Sequence, residues 1–203
     1  MSMLRSLYYA LPPSMRFWAR RLWYAPLDMW EGISGQRDAL TPPRGLIFTG
    51  GGDFRAQGSR MVDIFCQYAG LQPQHRVLDI GSGIGRMAVP LTAKLSSSGS
   101  YEGFDVIEMG VRWCQKRISS RFPHFQFRYV PLANDLYRAD GQEADRFRFP
   151  FSDTDFDFAC AISVFTHFLP DEVEQYLRET SRVLKPGGTF CATFFLLNAE
   201  SER

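Results

Sequence analysis

From Arg76 onward the chain repeats one pattern: a short apolar run, a turn, then an amphipathic stretch. RVLDI reads as a first strand, and GRMAVPLTAKL, after a cluster of glycines, as its helix. Pro90 inside that helix should kink it or shift its start, because proline lacks a backbone N–H and its ring crowds the preceding turn. YEGFDV reads as a second strand, EMGVRWCQKRISSRF as its helix, and FQFRYV as a third strand. A loop of about twenty residues follows, long enough to suggest function. FDFACAIS is a fourth strand, apolar enough to be buried on both faces. DEVEQYLRETSRVL is a helix with Val173, Tyr176, Leu177, Thr180 and Leu184 on one face; KPGG stops it, and TFCATFFLL is a fifth strand. Such alternation fixes the class: α/β, a Rossmann-like doubly wound and mainly parallel sheet, with right-handed crossovers and helices on both faces.

Residues 1–44 differ and read as a helical extension or lid, leaving 45–203 as the core domain. Ser14 stands where an N-cap would, ahead of MRFWARRLWY. Met15, Trp18, Ala19 and Leu22 fall on one helical face, and Arg16, Arg20 and Arg21 mostly on another. Trp18, Trp23 and Trp30 would suit a lid over an apolar pocket. The other reading of residues 14–24 is peripheral contact with an anionic membrane. A further helix runs from about Arg55 to Tyr68, with Met61, Ile64, Phe65 and Tyr68 as its apolar stripe.

A formal charge of +1 on 203 residues gives no reason to expect nucleic acid as a partner. Cys66, Cys114, Cys160 and Cys191 are scattered with no CxxC pair, so they read as free thiols in a reducing, cytoplasmic compartment without a zinc site. Asp153, Asp155 and Asp157 alternate, but as a solvated turn into a strand rather than a metal site.

The glycine turn carries the chemistry. In an open parallel sheet, ligands bind at the carboxyl ends of the strands, where VLDIGSGIGR places Gly81, Gly83 and Gly85. No Lys-Ser/Thr follows, so this is no P-loop, and the glycine spacing is not the dinucleotide GxGxxG. Asp79 ends the first strand at the mouth of the loop, and a carboxylate there suits an ammonium better than a pyrophosphate. Asp105 ends the second strand at the distance that suits a ribose diol. An ammonium joined to a ribose describes S-adenosylmethionine.

From about Arg55 to Leu197 the chain resembles the class I S-adenosylmethionine-dependent methyltransferases. The resemblance lies in VLDIGSGIGR, YEGFDV, RFPFSDTDFDFACAISVFTHF and LRETSRVLKPGG, in that order. It implies transfer of a methyl group to a small-molecule or sugar-type acceptor, with a non-catalytic cofactor-binding or docking module as the alternative. It also implies that Asp79 faces the methionine ammonium and that Gly81, Ser82 and Gly83 offer backbone contacts. Asp105 would take the ribose hydroxyls, Val106 would pack on adenine, and Ile162 and Ser163 would line the sulfonium side. The adenine amino group often meets an acid after the third strand. Here VPLAN stands instead, leaving Leu132 through its backbone, Asn134 or Asp145 as substitutes. His167 is either a general base for the acceptor or a structural histidine, whereas His75 and His124 lie at the far ends of strands. Arg86 awaits a carboxylate, from a ligand or from the fold. The family's sheet usually has seven strands, so this one is expected to lack its last two.

Overall fold

The computed structural model describes residues 13–48, 52–132 and 143–194. Five strands, β1 (Arg76–Ile80), β2 (Ser100–Asp105), β3 (Phe125–Tyr129), β4 (Phe156–Ala161) and β5 (Leu184–Ala192), form one sheet in the order β3-β2-β1-β4-β5. Every pairing is parallel. Period-two alternation in β1 sends Val77 to one face and Leu78 to the other, and each face has its own core.

The helices are α1 (Pro13–Ile33), α2 (Phe54–Tyr68), α3 (Ala88–Leu91), α4 (Glu108–Cys114) and α5 (Pro170–Val183). One core packs Val62, Phe65, Leu91 and Val111 under the helices that follow the glycine turn. The other packs Leu78, Phe104, Phe149, Tyr176 and Val183 beneath α5.

Several local expectations need correction. The helix after the glycines is a single turn, Ala88–Leu91, because Pro90 sits inside it and longer continuation would need the N–H it lacks. The buried face of α2 runs through Phe54, Gly58, Val62 and Phe65. Tyr68 is exposed and Ile64 partly so, while Met61 packs at the edge of this core and also lines the cavity described below. Gly58 sets that rotation: a Cβ there would stand 2.3 Å from the Arg86 carbonyl oxygen, so only glycine lets α2 lie this close. On α5 the buried set is Tyr176, Glu179, Thr180 and Val183, while Leu177 is exposed and Leu184 opens β5. KPGG lies within β5 as an irregularity, between the Phe156–Leu184 and Phe158–Thr189 pairings. Helix α1 starts at Pro13, so Ser14 is inside it rather than capping it.

Candidate functional site

Three crossovers bring the glycine turn to the carboxyl ends of β1, β2 and β4. Gly81, Gly83 and Gly85 all have positive φ, at 73°, 57° and 80°. A Cβ on Gly81 would meet Val164 at 2.6 Å, and one on Gly85 would meet Ile118 at 2.8 Å. The turn is thus held tightly between the loop after β4 and the helix after β2. Beside it opens a cavity of about 600 Å³, walled by Asp79, Gly81, Ser82, Gly83, Asp105 and Val106, with Ile162 and Ser163 opposite.

The two acids are held differently. Asp105 Oδ2 accepts from the Gly83 amide at 2.7 Å, and Oδ1 accepts from the Ile107 amide at 2.7 Å. These bonds fix the plane of the carboxylate and leave each oxygen a further lone pair. Burial raises its pKa to about 6, although the backbone hydrogen bonds pull the other way.

Asp79 lies opposite Gly103 of β2 and Cys160 of β4. Its Oδ2 accepts from the Tyr101 hydroxyl at 2.5 Å, and its Oδ1 from the Cys160 thiol at 3.5 Å. Burial pushes its pKa to about 7, helped by the nearby charge of Asp105 and opposed by those two donors. The acid is therefore easily neutralised when the cavity offers no cation.

Of the residues picked out from the sequence, eight stand together in this wall: Asp79, Gly81, Ser82, Gly83, Asp105, Val106, Ile162 and Ser163. Leu132 does not join them; it is buried in the core beneath α5, and its amide donates to the Val130 carbonyl. Asn134 lies outside the described residues. Asp145 sits in the 3-10 turn Ala144–Arg146 and keeps Oδ1 buried without a hydrogen-bond partner. The backbone of His167 closes the turn Phe165–His167 after β4, while its side chain lies outside the described residues.

Arg86 does reach the cavity wall. It donates to the Gln57 side-chain oxygen and lies 5.5 Å over the Phe54 ring. Burial lowers its pKa. Asp153, Asp155 and Asp157 are each bound to a cation, respectively Arg182, Arg76 and Lys185. His75 accepts from the Gln72 amide through Nδ1.

Sequence reasoning did not foresee that Tyr101, read as a strand former, and Cys160, read as a free thiol, would hold Asp79. It also missed the outer wall, where Phe48, Gln57, Met61 and Ile64 come from the segment before β1 and Phe168 and Tyr176 from after β4. The signal for it was indirect: Met61 and Ile64 belong to the apolar stripe of α2. No described residue of α1 is in the cavity wall, and Trp18, Trp23 and Trp30 are exposed.

The donor set discriminates among ligands. Beside the glycine turn stand two buried acids and no lysine, which suits a ligand with an ammonium and a diol; the arginines of the wall, Arg60 and Arg86, come from α2 and from the far end of the turn. The residues present therefore fit S-adenosylmethionine.

Comparison with known proteins agrees. Residues 78–192 match the family profile described as "Methyltransferase domain". "Methyltransferase GfsG" of Streptomyces halstedii is 30% identical over 138 residues, covering 64% of this chain and 41% of that protein. "27-O-demethylrifamycin SV methyltransferase" of Amycolatopsis mediterranei is 29% identical over 146 residues, covering 68% and 45%. The chain thus spans less than half the length of these curated relatives. Among solved structures, the PH0226 protein of Pyrococcus horikoshii aligns with a TM-score of 0.54 at 23% identity, covering 71% of this chain and 59% of that one. The [4+2]-cyclase SpnF aligns at 0.52 and 18% identity, covering 85% and 57%. At those identities the two structures show a shared fold and nothing about chemistry. The profile spans more than half of the chain, which belongs to the methyltransferase-domain family, the class I S-adenosylmethionine-dependent methyltransferases.

Proposed function

We propose that this chain catalyses direct transfer of the methyl group of S-adenosylmethionine to an oxygen or nitrogen of a small-molecule acceptor. One observation carries the reading: Asp79 and Asp105 flank a single glycine turn in one cavity wall, both buried and both available to a ligand. Asp79 takes the ammonium and Asp105 the ribose hydroxyls. Gly81, Ser82 and Gly83 offer close backbone contact to the methionine part, their amides already donating to the Phe104 carbonyl and to Asp105; Val106 packs on adenine, and Ile162 and Ser163 line the sulfonium side. For the adenine amino group we favour Asp145, whose buried carboxylate oxygen has no hydrogen-bond partner, over the Leu132 backbone.

When bound, S-adenosylmethionine supplies a methyl group already activated by its sulfonium. What the chain's own residues do is position and desolvate. Phe48, Met61, Ile64 and Phe168 give the cavity an apolar rim that excludes water from a bound acceptor. His167 is the candidate base for the acceptor's proton. His167→Ala should lower turnover by about a hundredfold or more while leaving S-adenosylhomocysteine affinity unchanged. The two relatives named above are methyltransferases by name; the acceptor of this chain is of the same broad small-molecule class in our reading. The four cysteines are free, which supports a cytoplasmic setting.

Calorimetry with S-adenosylhomocysteine tests the assignment. The wild-type chain should bind it and give no heat with NAD, and Asp105→Ala should abolish binding. Wild-type affinity in Asp105→Ala would sink the placement of the ribose, and binding of NAD in preference would sink the reading as a whole.

A further inference from the structure

Helix α1 is built inside out. Its acidic residues face the protein: Asp28 accepts from the amides of Arg44 and Gly45 and pairs with Arg37, and Glu31 pairs with Arg44. Its apolar residues face solvent. Met15, Trp18, Leu22, Met29 and Ile33 follow one another at three- and four-residue steps or their sum, which keeps them on one line along the helix. Trp23 and Trp30 widen that line, and Trp23 is 75% and Ile33 84% exposed. A contiguous face of this size marks a docking surface rather than scattered surface apolars.

The charge pattern identifies what docks. The first acidic residue in the sequence is Asp28; before it stand Arg5, Arg16, Arg20 and Arg21 with no acid. In a chain of overall charge +1, this basic excess is concentrated in one short segment. Arg21 borders the apolar face on one side, with its guanidinium 5.8 Å over the Trp18 ring, and Arg16 and Arg20 lie beyond its other border. The acids of α1, Asp28 and Glu31, are already engaged by Arg37, Arg44 and the Gly45 amide, so a second copy of this face brings no carboxylate to meet its arginines, which disfavours it as occupant. An apolar face rich in tryptophan and rimmed by cations matches the headgroup layer of an anionic bilayer. No described helix is long and apolar enough to cross a membrane, and an amphipathic helix of this kind is suited to lie in the interface plane.

We propose that α1 docks this protein on an anionic phospholipid surface, with Trp18, Leu22 and Trp30 inserted among the acyl chains and Arg21 at the phosphates. The contact also places the cavity near the bilayer. Phe17 on the inner side of α1 meets Phe48 edge-on at 6.0 Å, and Phe48 is part of the cavity rim. The proposal does not depend on the methyltransferase reading.

The test is co-sedimentation of the full chain with vesicles of phosphatidylcholine alone or mixed with one third phosphatidylglycerol. Binding should be about tenfold or more stronger to the mixed vesicles and should fall with added salt. Tryptophan emission should shift to the blue on binding. Trp18→Ala, Leu22→Ala and Trp30→Ala combined should abolish sedimentation while leaving S-adenosylhomocysteine affinity unchanged, since all three side chains are exposed and none is in the cavity wall. Failure of the wild-type chain to sediment with mixed vesicles or to shift its emission overturns the proposal. So does sedimentation that the triple variant retains. A wild-type dimer that becomes monomeric in the triple variant, with no vesicle binding, assigns the face to a second copy instead. Should the triple variant not fold, the emission and salt dependence of the wild-type chain still decide the matter.

Discussion

At the scale of single residues, Asp79 is the most revealing group because its surroundings oppose its charge. Its pKa in the folded chain, about 7, stands well above that of an exposed aspartate. Below both values the carboxyl is protonated whether the chain is folded or not. Between them, the unfolded chain releases a proton that the native state keeps. The stability of the ligand-free protein therefore falls as pH rises through that window, and the penalty is complete above about pH 7. Asp79→Asn should remove most of that slope and raise stability at pH 8 by roughly 2–4 kcal/mol, read from urea denaturation at pH 5, 6.5 and 8. The same linkage governs binding. A cationic ligand selects the ionised carboxylate, so S-adenosylmethionine affinity should weaken as pH falls below about 7 in the wild type, and calorimetry should detect proton release there. Asp79→Asn should bind more weakly and lose that dependence; an unchanged pH profile in the variant would show that another group titrates.

Elements are positioned by contacts that periodicity does not register. The order of strands and helices was legible because apolar runs and glycine turns repeat along the chain; caps were not, since Ser14 lies inside α1 while Asp53 caps α2 by accepting from the Ala56 amide. Which face each helix buries was less legible. On α2 the deciding residue is Gly58, which has no side chain to count, and the close approach to the Arg86 carbonyl occurs across twenty-eight positions of sequence. Gly58→Ala gains helix propensity of about 1 kcal/mol, yet its Cβ meets backbone rather than a flexible side chain. The expected net loss is about 1–3 kcal/mol, measured from the urea midpoint; a gain would mean that α2 can move away freely. On α5 the deciding residues are polar. Glu179 accepts from the Phe149 amide at 2.8 Å and from Arg182, and Arg182 also donates to the carbonyls of Phe149 and Phe151. Together they pin the stretch that leads into β4. Glu179→Ala would leave a buried amide and a largely buried guanidinium without that carboxylate, at a cost of about 3 kcal/mol in stability. Because the stretch feeds β4, which leads directly into Ile162 and Ser163 of the cavity wall, ligand affinity should fall with it. Full affinity and stability in Glu179→Ala would show that the aromatic packing of Phe149 on Tyr176 is sufficient by itself.

For the molecule as a whole, the site is a product of topology. The strand order places β1 between β2 and β4, so the two acids and the loop after β4 converge although Asp79, Asp105 and Ile162 are far apart in sequence. Asp79 and Asp105 could be picked out because each stands at or next to the carboxyl end of a strand; Tyr101 and Cys160 could not, because their roles exist only once register puts β2 and β4 beside Asp79. Convergence has a measurable consequence. A ligand that touches β1, β2 and β4 at once binds the folded sheet and has no counterpart site in the unfolded chain, so it must stabilise the whole domain by mass action. At about one hundred times its dissociation constant, S-adenosylhomocysteine should add about 2.7 kcal/mol, which for a chain of this size corresponds to a rise in Tm of roughly 5–10 °C. The rise should shrink in Asp105→Ala, where the ligand loses its diol partner, but persist in the triple variant on the outer face of α1, which leaves the cavity intact. A Tm that responds equally in both variants would mean that the ligand binds away from the β1–β2 crevice.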